Sequence, residues 1–451
     1  MKDKTTEIFA NAPVPKAVIS NVVPSIISML MVLVYNLADT FFIGQTKNPY
    51  MVAGVSVATP AFLIFMSIGM LFGIGGTSKI SRLLGQGEKE RAKTTSSFCF
   101  WSGFIIGIIS AIGMFVFAKP VCMMIGASSD TISHASEYLR IVSLGIPFLI
   151  VSNSFSNIIR AEGQAKIAMA GMIIGNMMNV VLDPVMIMGF HWDVAGAAWA
   201  TVIGNVFSAC FYVYHIVRKS TLLSISPKAY RIRGGIAGGV LAIGIPASLN
   251  NVLLSVSNIL ANNQMKRYGD MAVAGLGVAI KVNMIVVMLL IGLGVGIQPL
   301  LGYCYGAGKR ERYKEVLKFS LFLAVSLSLI MTVICYFGAG FLVKTILDDM
   351  NAYAYGIEFA RTYIYSGPIM GILFVFINAI QSMGAAIPAL ILNISRQGLV
   401  YIPVLFIFRK VFDTARMIAA AQPVTDYVAV ILATVLFIIS FRKYFSKKRV
   451  I

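Results

Sequence analysis

Apolar residues occupy this chain in long runs that short polar segments separate. Residues 19–35, 98–118 and 425–441 carry almost no charged side chains. A run of about 20 apolar residues forms a helix long enough to cross the hydrocarbon core of a bilayer, which is roughly 30 Å thick. The pattern therefore predicts an all-α integral membrane protein with twelve transmembrane helices, near residues 18–44, 51–78, 94–118, 136–159, 165–189, 194–217, 237–263, 271–301, 316–343, 359–381, 386–408 and 417–441.

The second half of the chain repeats the first. Four glycines and one arginine recur 221 positions later, as Gly73/Gly294, Gly75/Gly296, Gly85/Gly306, Gly87/Gly308 and Arg91/Arg312. Two related halves with an even number of spans each share one orientation, and such duplication is typical of transporters with a substrate path between two lobes. We therefore predict two pseudo-symmetric six-helix bundles: an N-lobe over 1–217, a cytoplasmic linker over 218–236 and a C-lobe over 237–451.

Composition and charge agree with a membrane protein and indicate its orientation. Only 12% of residues are charged and the net charge is +19, whereas soluble domains carry roughly 25% charged residues. Most of the 37 lysines and arginines fall in the loops and termini on one side of the predicted spans. Cytoplasmic loops carry such an excess, so both termini are expected in the cytoplasm and nucleic acid is not expected as a partner. The basic N-terminus lacks a cleavage motif, so no removed signal peptide is expected.

The five cysteines show no spacing typical of a metal site or a disulfide framework. They are scattered in or at the ends of apolar spans, and we expect small buried apolar side chains at all five positions: Cys99, Cys122, Cys210, Cys304 and Cys335.

Polar side chains inside the first, fifth and sixth spans are candidates for function, because ionisable groups in a membrane are costly. Asp39 and Asp183 both lie within roughly 10 Å of the outer end of their spans, at about 1.5 Å per residue. Asn176, Asn179 and Asp183 share one helix face, and Tyr35 lies one turn before Asp39. Thr201, in the sixth span, lies at a similar depth. Carboxylates, an amide and a hydroxyl at one level suit a small hard cation such as Na⁺, or proton capture.

Both aspartates also have a purely structural interpretation. Either one can cap a broken helix or lie at the water boundary, and Pro184 directly after Asp183 favours a kink there. Because two carboxylates lie at the same depth in one lobe, the structural interpretation is weaker for the pair than it would be for either residue alone.

Several motifs in order along the chain resemble the MATE (multidrug and toxic compound extrusion) family. The resemblance covers essentially the whole length of the chain, and its motifs are Asn36–Gly44, Gly85–Lys89, Arg160–Lys166, Asn179–Pro184 and Arg396–Pro403. It implies a V-shaped pair of six-helix bundles in the bacterial inner membrane. It also implies export of drugs in exchange for H⁺ or Na⁺, with no enzymatic activity and no cofactor beyond that coupling ion.

The resemblance assigns roles to individual residues. A cation or proton site of the N-lobe would comprise Asp39, Asn179, Asp183 and Thr201, with Tyr35 and Asn153 beside it. Pro24 matches the proline at which the first helix bends in some members. The seventh and tenth spans carry no acidic residue, which is similar to the DinF-like or MepA-like bacterial branch and would confine ion coupling to the N-lobe.

The substrate is expected to be a cationic amphipathic compound. Flexible thioethers and polar side chains on spans near the cleft can accommodate such ligands, and the candidates are Tyr35, Asn36, Asn153, Asn176, Met177, Met284 and Met288. Ordinary packing is the competing interpretation for each methionine. Lys281 and Arg396, the remaining intramembrane cations, are interpreted as structural groups bonded to carbonyls or as charges that repel cations from the C-lobe. Lipid is the other partner, and the chain is expected to act as a monomer.

Two other classes of function compete with an antiporter. A flippase of lipid-linked saccharides, from the same wider superfamily, needs a cationic cleft for pyrophosphate, and Lys281 and Arg396 supply only two charges. A channel or receptor does not explain the duplication together with buried carboxylates, and no nucleotide-binding loop supports a pump driven by ATP.

Overall fold

The computed structural model describes residues 4–44, 49–125, 129, 131–345 and 350–446. Five basic residues that contribute to the predicted orientation lie outside the described residues: Lys2, Lys47, Lys447, Lys448 and Arg449.

Regular structure in the described part of the chain is entirely helical. The first half contains α1 (Lys4–Asn11), α2 (Val14–Gly44), α3 (Pro49–Gly85), α4 (Lys89–Ile125), α5 (Ile132–Ala161), α6 (Ala165–Pro184) and α7 (Asp193–Arg218). The second half contains α8 (Ile236–Met265), α9 (Asp270–Gly306), α10 (Arg310–Lys344), α11 (Met350–Ile364), α12 (Gly367–Ser382), α13 (Ala386–Ile394), α14 (Tyr401–Phe412) and α15 (Ala415–Ser446).

The described helices provide up to twelve membrane spans. Eleven are long and apolar enough to cross a bilayer, and the twelfth is the pair α11 and α12, which meet at a bend of 51°. The sequence pattern predicted one continuous tenth span over 359–381, so this prediction is wrong at the bend. The break falls at Tyr365 and Ser366, directly before Gly367-Pro368, because proline lacks the N–H that would continue the helical hydrogen bonding and favours the start of a new helix.

Two spans contain a π-helical turn. In the fifth span Val185–Gly189 is π-helical and follows Pro184, and in the eleventh span Ser395–Leu399 is π-helical and joins α13 to α14. Such turns are rare and occur frequently at functional sites, because they insert one residue and rotate the side chains that follow. Asp183 lies two residues before the first turn, and Arg396 lies within the second.

Glycines bring the two halves into backbone contact. A Cβ on Gly75 would meet the carbonyl of Val240 on α8, and a Cβ on Gly244 would meet that of Leu71 on α3. At the ends of α3 and α9, Gly85 packs on the backbone of α9 and Gly306 on that of α3. We name the end of the bundle that holds the α3–α4 and α9–α10 loops the basic end. The halves therefore meet backbone to backbone over the part of the bundle nearest the basic end.

The start of α2 also crosses to the other half. Ala17, Val18 and Val22 belong to the apolar core of the second half, together with residues of α9 such as Leu293 and Ile297. A Cβ on Gly296 would lie 2.8 Å from the Cα of Val22, so glycine permits this approach as well.

Four of the five cysteines are buried as expected, and Cys210 is exposed. The expectation of burial is wrong for Cys210 because it lies on a face of α7 that no described element covers.

The contact between the halves leads to a test by overpacking. Gly85→Val and Gly306→Val should each destabilise the protein by about 1–3 kcal/mol, because the added side chain forces two backbones apart. Gly113→Val on α4 is the control, since a Cβ there meets no atom within 4 Å. The midpoint of thermal unfolding in detergent measures the effect. Equal midpoints for Gly85→Val and Gly113→Val would contradict the close approach.

Candidate coupling site and its relatives

A polar cavity of about 670 Å³ lies inside the first half, between α2, α3, α5, α6 and α7. Its polar lining is supplied by Tyr35, Asn36, Ser152, Asn153, Ser156, Asn176, Asn179, Thr201, Asn205 and Ser208. Exposure of hydroxyl and amide groups to lipid is costly. These side chains instead point toward one another, and the interior of this half is therefore partly polar.

Two glycines bring α6 and α7 together at the cavity wall. A Cβ on Gly204 would meet the carbonyl of Gly175, and the Cβ of Asn179 lies next to Gly204. This close packing places the amide Nδ2 of Asn179 3.2 Å from the hydroxyl Oγ1 of Thr201, to which it donates a hydrogen bond. The carbonyl oxygen Oδ1 of Asn179 is buried and has no partner among the described residues.

Asp183 lies one helical turn beyond Asn179 on α6 and is fully buried. Both of its carboxylate oxygens lack a hydrogen-bond partner within the described part of the chain. A buried charge without a partner is among the most costly arrangements in a protein, and it is resolved by a bound cation or by a proton.

Asp39 approaches Asp183 from α2. The two carboxylates lie close enough for their charges to interact, and Oδ1 of Asp39 is likewise buried without a partner among the described atoms. Two neighbouring carboxylates in an apolar setting cannot both stay charged without a cation. Carboxylate, amide and hydroxyl oxygens are the ligands that hard cations prefer, so Asp39, Asp183, Asn179 and Thr201 fit Na⁺, and the carboxylate pair fits H⁺ equally well.

Tyr138 on α5 belongs to this cluster and was missed by the sequence analysis. It is 7% exposed and lies near both carboxylates and Thr201. Tyr35 has the same three neighbours and also lines the cavity. A phenolic hydroxyl in the apolar fourth span was the only signal in the sequence, and the contact itself depends on how α5 packs against α2 and α7.

Besides Asn179, three predicted asparagines line the cavity. Asn36 and Asn153 donate their Nδ2 to carbonyls one turn earlier on their own helices, at 2.8 Å and 3.0 Å. The hydrogen bond of Asn153 uses its Nδ2, which leaves its amide oxygen available to a ligand. Nδ2 of Asn176 is buried and has no partner among the described residues, so it is an available donor.

Other predicted residues lie outside this cavity. Met177 is 42% exposed and does not contribute to its lining. Met284 and Met288 lie on α9 in the second half, on the helix face that also carries Ile291. Pro24 lies inside α2, which continues as one helix from Val14 to Gly44, so this proline does not interrupt the helix.

A second cavity, of about 660 Å³, is lined mainly by the second half, including Arg396, and also by Met70 and Ile74 of α3. Nε of Arg396 donates to Oδ1 of Asp426 at 3.0 Å, and the guanidinium lies 5.3 Å from the ring centre of Phe374. Asp426 also accepts hydrogen bonds from Ser366 (2.9 Å) and Gln422 (3.2 Å).

This pairing agrees with the interpretation of Arg396 as a structural group rather than a charge that repels cations, but its expected carbonyl partner was wrong. Its partner is a carboxylate, so the pair is close to neutral. α8 and α12 carry no acidic residue, as the sequence indicated, but Asp426 lies in the twelfth span. The rule that flagged Asp39 and Asp183 would also have flagged Asp426. Lys281 is exposed on α9.

The arrangement of spans and cavities agrees with a known family of transporters. The MatE family model matches the chain twice, at residues 24–185 and 246–407. The chain belongs to the MATE family. The transporter assignment is thus confirmed, and an enzyme is not supported.

Individual relatives refine the assignment of this MATE protein. It is 31% identical over 419 residues to multidrug export protein MepA of Staphylococcus haemolyticus, and 30% identical over 419 residues to MepA of Staphylococcus aureus strain MSSA476. Each alignment covers 93% of this chain and 92% of the relative. The predicted MepA-like affiliation is confirmed.

A solved structure confirms the fold class. It is described as the outward-facing conformation of a multidrug resistance MATE family transporter of the MOP superfamily. It matches with a TM-score of 0.92 at 22% identity and covers 98% of this chain and 99% of the other.

Neutralisation of Asp426 and neutralisation of Asp183 should have different effects on the stability of this MATE protein. Asp426→Asn leaves the Arg396 charge buried without its counterion and should cost about 3–5 kcal/mol. Asp183→Asn removes an unpartnered carboxylate and should leave stability unchanged or raise it. Thermal unfolding in detergent without added Na⁺ compares them. A larger loss in Asp183→Asn than in Asp426→Asn would contradict this assignment.

Proposed function

We propose that this protein is a multidrug efflux antiporter that exports cationic amphipathic compounds in exchange for H⁺ or Na⁺ by alternating access. The observation that carries the proposal is the unpartnered pair Asp39 and Asp183. The names of the MepA relatives supply the substrate class. We further propose that the protein lies in the bacterial inner membrane with both termini in the cytoplasm, since the basic loops cluster at one end of the bundle.

Coupling follows from competition for the same negative charge. With the basic end closed by glycine contacts and taken as cytoplasmic, the cavity of the first half is open to the outside. Cations or protons that together neutralise Asp39 and Asp183 remove the attraction for a bound cationic drug, which then leaves. The neutral site tolerates closure of the cleft, because burial of a neutral group costs less than burial of a charge. Release of the ion on the cytoplasmic side restores the charge and the affinity for drug.

Residues around the carboxylates have supporting roles in this scheme. Asn179 and Thr201 would supply further oxygens to Na⁺, while Tyr35 and Tyr138 would orient the carboxylates. Tyr35, Asn36, Asn153 and Asn176 would contact the drug. The lobes that move are taken as residues 1–217 and 237–451. The flippase alternative is not favoured, since Arg396 is paired with Asp426 and offers no free charge for pyrophosphate.

Ethidium efflux from proteoliposomes, with a sodium or a pH gradient imposed in turn, tests the proposal. One gradient should drive efflux, and Asp183→Asn and Asp39→Asn should each reduce it to background because the ion no longer competes with drug. Asp270→Asn is the matched control, an exposed aspartate at the start of α9, and it should retain normal efflux. Normal efflux in both site variants would exclude the coupling site.

Removal of one hydroxyl should weaken ion binding without loss of transport. Tyr138→Phe keeps the buried ring and removes the oxygen near both carboxylates. Tyr138 also lies beside Thr201, a proposed ligand of the ion, and a neutral hydrogen bond contributes about 0.5–1.5 kcal/mol, so the concentration of driving ion for half-maximal efflux should rise about two- to tenfold. Tyr214→Phe, at a residue that is 57% exposed, should leave this concentration unchanged. An unaltered value in Tyr138→Phe would remove Tyr138 from the site.

A further inference from the structure

Arg91 and Arg312 occupy equivalent positions of the repeat and make the same kind of contact. Each lies in the first turn of the helix that follows a tight loop, α4 in one half and α10 in the other. Each loop contains a glycine with positive φ, Gly87 at 80° and Gly308 at 70°, which a side chain would strain. The loops therefore hold both arginines in matching places at the basic end.

Arg312 binds the segment that precedes α2. Its Nε donates to the carbonyl of Phe9 at 2.9 Å, and its Nη2 donates to the carbonyl of Ala12 at 2.7 Å. Nζ of Lys309 donates to the carbonyl of Ala10 at 3.1 Å. Carbonyls at a helix C-terminus lack intrahelical partners and attract cations, so the end of α1 suits these donors.

An apolar contact adds to this attachment. Phe9 is 1% exposed, and its ring centre lies 5.8 Å from that of Tyr303 on α9. The beginning of the chain is thus fixed to the second half just before it enters the first membrane-spanning helix.

Arg91 binds the segment that precedes α8. Its Nη2 donates to the carbonyl of Gly234 at 3.1 Å, while its Nη1 pairs with Glu88 at 2.6 Å. Gly234 and Gly235 both have positive φ, at 78° and 72°. This turn aims the Gly234 carbonyl at Arg91 immediately before α8 begins.

The two attachments are reciprocal. Each arginine belongs to one half and holds the start of the first membrane-spanning helix of the other half. We propose that Arg91 and Arg312 are the gate residues of the basic end, which keep that end closed and must release their carbonyl partners before it can open. This inference rests on the proposed alternating access.

The two attachments differ in strength. Glu88 of the first half corresponds to Lys309 of the second, 221 positions later. Glu88 shares the charge of Arg91, which then makes one contact to the linker, whereas Lys309 adds a second cation beside Arg312. The Arg312 attachment is therefore the stronger, and its loss should open the basic end further than the loss of Arg91.

Labelling from the side of the basic end tests the gate. In a full-length chain with its five cysteines replaced, Ser81→Cys is the reporter, since Ser81 is fully buried on α3 against Gly302 of α9. Inside-out membrane vesicles are treated with a membrane-impermeant maleimide, without substrate or gradient. Arg312→Gln should raise the labelling rate about tenfold, the change expected from losing its hydrogen bonds. Arg91→Gln should raise the rate less, the double variant should raise it most, and Arg312→Lys should recover part of the protection.

Matched controls separate gating from charge and from unfolding. Lys93→Gln on α4 and Lys314→Gln on α10 remove cations that pair within their own helix, with Glu90 and Glu311, and should not change labelling. A second reporter, Ser154→Cys, lies buried within the first half, where Ser154 Oγ donates to the carbonyl of Gly69, and it should label only when the bundle unfolds.

Unchanged Ser81→Cys labelling in both arginine variants would overturn the gate, as would an equal rise in the lysine controls or in the Ser154→Cys reporter. Because the assay needs neither drug nor ion gradient, its outcome is independent of ethidium efflux. Coupled efflux with unchanged labelling would reject the gate and leave the antiporter. Increased labelling without coupled efflux would keep the gate residues and reject the proposed function.

Discussion

The structure depends on the absence of water from the hydrocarbon core. A charged group there must therefore be paired with another group of the protein or with a bound ion or ligand. Arg396 and Asp426 satisfy each other, and Ser366 and Gln422 complete the carboxylate's hydrogen bonds. Asp183 receives no such help from the described residues. The same physical requirement is therefore met by an ion pair in one half, and in the other it is the basis for the proposal that Asp183 binds an exchangeable cation or proton.

Duplication supplied one scaffold and the side chains then diverged. Both halves line a cavity and both present an arginine at the basic end, in the first turn of α4 and of α10. At the position that corresponds to Asp183, 221 residues later, the second half has Val404. Repeated helices thus carry different charges in the two halves, and in the proposed mechanism only the first half responds to the ion.

The sequence predicted what depends on local spacing and missed what depends on packing between helices. Apolar runs located the spans, and the 3.6-residue period placed Asn179 and Asp183 on one face. Whether Tyr138 approaches these carboxylates depends on the distance between helices that are remote in sequence. Arg396 and Asp426 lie 30 residues apart in different spans, so their pairing left no periodic signal. The bend directly before Gly367-Pro368 did have a signal, since that dipeptide is a common helix break, but the apolar run continues through it.

The Arg396–Asp426 pair also constrains the order in which this protein acquired its charges. An aspartate alone in an apolar span can be carried as a neutral acid, whereas an arginine cannot lose its proton in a protein. An ancestor with only the acid would have folded at modest cost, and one with only the arginine would have had a buried charge and nothing to offset it. A path of single substitutions through low-cost intermediates therefore places the acid at position 426 first, and loss of the arginine alone is tolerated where loss of the aspartate alone is not.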